Sequence, residues 1–68
     1  MLYRCVSLVP ECLLDESLEN LIGVVYTGDT ILRLDDSESE GGRGSYVRVL
    51  HKGQIGVVRI SSLQLLEQ

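Results

Sequence analysis

The chain has 68 residues, of which 44% are hydrophobic and 24% charged, with three Tyr, no Trp and no Phe. This is the composition of one small globular domain over residues 1–68 and excludes a disordered, low-complexity segment. The net charge of −4 works against non-specific nucleic-acid binding, which depends on Lys and Arg neutralising phosphates.

A domain of this size buries only about 60% of its unfolded surface, so its core is thin and association helps to stabilise it. No stretch approaches the roughly 20 apolar residues of a membrane span. Met1 to Val9 does not read as a signal peptide, because its short apolar run is broken by Pro10 and Glu11. The expectation is a small acidic cytoplasmic protein with no membrane association. Cys5 and Cys12 then read as reduced core thiols, at a spacing that fits neither a redox pair nor a zinc site.

In chain order, Met1 to Val9 reads as a first strand with apolar residues on both faces. Leu14, Leu18, Leu21 and Ile22 follow helical spacing, yet Pro10 to Ile22 also suits a long folded loop. The reading taken is a loop with a short helical turn within 11–22. Gly23 to Tyr26 is a β-branched run that ends in a Thr27-Gly28-Asp29 turn, and Thr30 to Leu34 is the next strand. Asp35 to Gly44 is polar and Gly-rich, and a mobile loop is expected there.

Ser45 to Leu66 is the most structured stretch. Val47 and Val49 alternate with Tyr46, Arg48 and Leu50, as on a half-buried strand. His51-Lys52-Gly53-Gln54 supplies a hairpin turn, with Gly53 free to take a positive φ. Ile55 to Ile60 returns as a β-branched strand, in which Gly56 predicts a bulge or the close approach of another backbone. Ser61-Ser62 breaks the run, and Leu63, Leu65 and Leu66 close the chain.

Gly53, Gly56, Val57, Val58 and Leu63, preceded by Gly28-Asp29 and the strand Thr30 to Leu34, resemble the pattern of a Src homology 3 domain. The resemblance is clearest from Gly28 to Leu66 and implies an all-β fold, a small five-stranded barrel. It also implies a peptide groove, but the residues of that groove are changed. Tyr46 stands where the family has its leading Trp, Arg59 where it has Pro, and Ser62 where it has a Tyr. Aromatic grooves dock proline-rich ligands, so the architecture carries over, while these changes leave a proline-rich ligand an open question.

Charge is uneven along the chain. Between Glu11 and Glu40 stand nine carboxylates and one Arg, whereas Arg43 to Arg59 holds four basic residues and no carboxylate. The functional expectation is a non-catalytic protein–protein interaction module, a small subunit or adaptor, whose acidic loops contact a basic partner. Its contact residues would be Glu11, Glu16, Glu19, Asp35, Asp36, Glu38, Tyr46 and Arg59. The alternative is a small nucleic-acid-binding barrel that uses Arg43, Arg48, Lys52 and Arg59. A homo-oligomer through Leu13, Leu14, Leu21 and Ile22 is a further form of association.

An enzyme is not expected. His51 is the only histidine, reads as an exposed turn residue, and has no Ser or Cys context that marks a nucleophile. Asp36, Glu38 and Glu40 imitate the opening of a calcium loop, but Val47 occupies its twelfth position, where a bidentate carboxylate is needed. Gly41-Gly42-Arg43-Gly44 lacks the Lys-Ser/Thr and helix of a phosphate loop. No cofactor or metal is expected.

Overall fold

The computed structural model describes residues 1–41 and 44–66. The protein is all-β. Its strands are β1 (Leu2–Cys5), β2 (Glu11–Leu14), β3 (Leu21–Val25), β4 (Thr30–Arg33), β5 (Ser39–Gly41), β6 (Gly44–His51), β7 (Gln54–Arg59) and β8 (Leu63–Leu65), with a single 3₁₀ turn at Ile60–Ser62 between the last two. They form one antiparallel sheet in the order β3-β2-β7-β6-β4-β1-β8, with β5 paired to β6. Among the described residues the sheet is not closed, and eight strands stand where five were expected.

The β6–β7 hairpin matches its sequence pattern. Its six pairs run from Tyr46↔Arg59 to His51↔Gln54. Lys52 and Gly53 have φ of 50° and 81°, the two positive values that a type I′ turn requires. Val47, Val49 and Val58 point inward and join Cys5, Leu13, Val25 and Ile31 as the fully buried core. Ile22, Ile60 and Leu63 pack against it. Each such aliphatic side chain contributes roughly 1.5–3 kcal/mol on leaving water.

Three expectations are corrected. The first strand ends at Cys5 rather than Val9, because the amide of Val6 already bonds the carbonyl of Ser62 in the 3₁₀ turn and no further strand pairs beyond it. Residues 11–22 hold no helical turn. They form β2, a tight turn and the start of β3. Helical spacing misleads here because the Asp15 carboxylate accepts from the amides of Ser17 (3.1 Å), Glu19 (3.3 Å) and Asn20 (3.3 Å). Such local bonds compete with a helix. The third correction is in the 35–44 loop, where Ser39↔Tyr46 and Glu40↔Ser45 pair, so that part of the loop is a strand.

Gly56 fulfils the close-approach reading. A Cβ there would lie 2.7 Å from the carbonyl oxygen of Leu14 and 2.9 Å from Leu13 Cδ1. The missing side chain lets β2 settle onto β7 at the pair Leu14↔Val57. That contact positions the β2–β3 hairpin beside β6. No helix among the described residues is long and apolar enough to cross a membrane.

Candidate functional site

Seating β2 on β7 leaves a groove of about 420 Å³, lined by Glu11, Cys12, Leu14, Leu18, Gly41, Tyr46 and Arg59. It lies between the β2–β3 hairpin and the β5–β6 hairpin. Leu14, Leu18 and the Tyr46 ring give it apolar lining. Tyr46 is 9% exposed and packs closely over Gly41, where a Cβ would lie 2.8 Å from its Cε1.

Leu18 reaches the groove from an unusual backbone. Its φ is +66°, a left-handed conformation that costs a non-glycine residue about 1–2 kcal/mol. Asp15 holds the turn that imposes it. Besides the three amides, its carboxylate accepts from Ser17 Oγ at 2.6 Å and Asn20 Nδ2 at 2.5 Å. These side-chain bonds, Ser17's first, hold the Asp15 carboxyl well below the usual carboxylate range against a small opposing effect of burial. The strained turn brings the Leu18 side chain near Gly41, where a Cβ would lie 3.2 Å from its Cδ1.

Glu11 forms the polar wall. It is 7% exposed. Burial pushes its carboxyl up, but four interactions together outweigh that and hold it below its ordinary value: hydrogen bonds from Arg59 and Ser62, the Arg59 charge and the amide of Cys12. Arg59 Nε donates to Oε1 at 2.8 Å, and the buried hydroxyl of Ser62 donates to the same oxygen at 2.8 Å. The guanidinium, bonded to Glu11, is correspondingly harder to deprotonate than usual. Tyr46 stands directly across from Arg59 in the hairpin ladder.

Several expected contact residues do meet around this groove. Glu11, Tyr46 and Arg59 line it. Arg48 ties the two acidic loops together, with Nε 2.8 Å from Glu16 and Nη1 3.6 Å from Asp35. Hydrogen bonds from Ser37 come first in holding the Asp35 carboxyl below its ordinary value, and Arg48 adds to them. Glu38 instead faces Arg33 at 3.7 Å, while Glu19 and Asp36 are exposed. Glu11 differs from the solvated acid expected, since β2 turns it inward with Leu13.

The basic residues are distributed differently. Arg43 lies outside the described residues. Arg48 and Arg59 are each committed to carboxylates. Lys52 sits at the tip of the hairpin, six residues of strand or about 20 Å from the Arg59 end. Asp36, Glu38 and Glu40 do not converge, because Glu38 turns to Arg33 and Glu40 accepts from Ser45 Oγ at 2.7 Å. Among the described residues no three metal-ligating side chains gather.

His51 corrects the expectation of an exposed turn residue. It is 4% exposed, and its Nε2 is 2.9 Å from Asp29 Oδ2. Asp29 Oδ2 also accepts from the Tyr26 amide at 3.0 Å. That bond first, and His51 next, lower the Asp29 carboxyl. The pair clamps the β6–β7 turn to the β3–β4 turn. The signal was present in the alternation, since a period of two from Val47 and Val49 puts His51 on the core face. Cys5 is buried as expected, but Cys12 is exposed beside the groove, and both are free thiols.

No family model, curated protein or solved structure matches the chain.

Proposed function

We propose that the protein is a non-catalytic interaction module of the cytoplasm that seats an extended segment of a basic protein partner in the groove between its β2–β3 and β5–β6 hairpins. The observation that carries this is an apolar groove walled by the Glu11–Arg59 pair and bordered by two acid-rich loops. Leu14, Leu18 and Tyr46 would contribute apolar contact, and the exposed carboxylates of Glu19 and Asp36 would meet cationic side chains. Glu11 acts as a structural member of the wall, because its carboxylate is already paired. Of the described basic residues of the nucleic-acid reading, Arg48 and Arg59 are spent on carboxylates and Lys52 lies about 20 Å from the Arg59 end, which disfavours that reading.

The architectural part of the proposal, a variant of the Src homology 3 barrel, rests on Gly53, Gly56, Val57, Val58 and Leu63.

The test is a nuclear magnetic resonance titration with extended peptides that combine Lys or Arg with apolar residues. Shifts confined to Leu14, Leu18, Gly41 and Tyr46, weakened several-fold by Glu19→Lys with Asp36→Lys, are expected. Binding to single-stranded oligonucleotides in place of such peptides would overturn the proposal.

A further inference from the structure

A second surface lies on the outer face of the sheet, beyond Arg48 from the groove. Register alone aligns Leu2, Leu32, Leu50 and Ile55 across four adjacent strands, through the pairs Leu2↔Leu32, Leu32↔Leu50 and Leu50↔Ile55. Directly paired residues share a face. Leu2, Leu32 and Ile55 are 41%, 38% and 54% exposed, and Leu50 is half-buried. Leu34, two residues beyond Leu32 on the same face, is also 38% exposed.

Charge is arranged on either side of this apolar row. On one side the next row holds Arg4 opposite Thr30 and Gln64, with Lys52 at the adjoining turn. Arg4 forms no ion pair among the described residues. On the other side Arg48 carries two carboxylates, Glu16 and Asp35, leaving that flank net negative. A two-fold axis through the apolar row therefore lays the cationic flank of one copy over the anionic flank of the other.

We propose that this face is an isologous interface between two copies of the chain. Isologous contacts need a self-complementary surface, and an apolar row with opposite charges on its two flanks is one. Four strands about 4.8 Å apart and three rows about 6.8 Å apart cover roughly 400 Å² per copy. Doubled, this falls slightly short of the ~1,000 Å² at which stable interfaces begin, so the dimer is weak and forms in the micromolar range.

Sedimentation velocity of the full chain from about 1 to 500 µM tests the proposal. Concentration-dependent dimerisation is expected, weakened by raised salt because the flanking charges are exposed. Ile55→Glu and Leu32→Glu should each raise the dimer Kd at least tenfold, and Arg4→Glu several-fold. All three positions are exposed, and an unchanged circular dichroism spectrum would verify that the variants fold. A chain that stays monomeric to 500 µM overturns the proposal. So does a dimer that survives both glutamate variants.

Discussion

Gly56→Ala is the sharpest probe of how the groove is built. Alanine in an extended strand normally gains about 0.4–1 kcal/mol over glycine, because it narrows the unfolded ensemble. Here the new methyl would sit 2.7 Å from the carbonyl oxygen of Leu14, with Leu13 Cγ and Cδ1 both at 2.9 Å. The nearest atom is backbone, so no rotamer change relieves it. β2 must move off β7, loosening the pair Leu14↔Val57 and the fully buried Leu13. Overpacking of this kind costs typically 1–3 kcal/mol, and the backbone contact puts it at about 3. The net loss is then about 2 kcal/mol or more.

An unfolding entropy near 2.1 cal/mol/K per residue gives this chain about 0.14 kcal/mol/K, so 2 kcal/mol lowers Tm by about 14 °C. Thermal unfolding followed by circular dichroism reads that shift. Because β2 carries Glu11, Cys12 and Leu14, the groove should widen as well, and peptide affinity should fall in the variant at temperatures where it remains folded. An unchanged or raised Tm would refute the close packing of β2 on β7.

Three further outcomes are expected. Because the folded Glu11 carboxyl lies below its ordinary value of 4.5, its contribution to stability is complete above that pH and is lost as pH falls below it. Acid unfolding of Glu11→Gln should show a flatter pH dependence over that range, at a cost near neutrality of about 1–2 kcal/mol. Asp29→Ala should cost about 1–3 kcal/mol by leaving the buried imidazole of His51 without its partner, measured by urea unfolding. Lys52→Asn should raise Tm by a few degrees, since Asn tolerates the φ of 50° at this turn better than Lys; a fall in Tm would contradict the turn geometry.

The β6–β7 hairpin was legible in the residues themselves, and the all-β class followed from the resemblance they carry. Val47 and Val49 set a period of two, Lys52-Gly53 set the turn, and Gly56 announced either a bulge or a neighbouring backbone. These signals are local, and each acts through a few consecutive residues. The β-branched run from Gly23 marked most of the strand at 21–25, whereas the strand at 11–14 and the start of the next at Leu21 and Ile22 were hidden, because their apolar spacing matches a helix that the side-chain bonds of Asp15 compete with. Glu11 looked like one more solvated acid in an acidic stretch. Its burial depends on Arg59 and Ser62, 48 and 51 residues away, which no local pattern reports.

His51 falls between these cases. Alternation placed it inward, but its partner Asp29 comes from another turn of the chain. The groove is wholly tertiary. Composition supplied the carboxylates, the tyrosine and the arginines. Which charges are spent on one another and which face solvent was decided when β2 packed onto β7 and Arg48 bridged the loops, because pairing between residues distant in sequence depends on register and close approach.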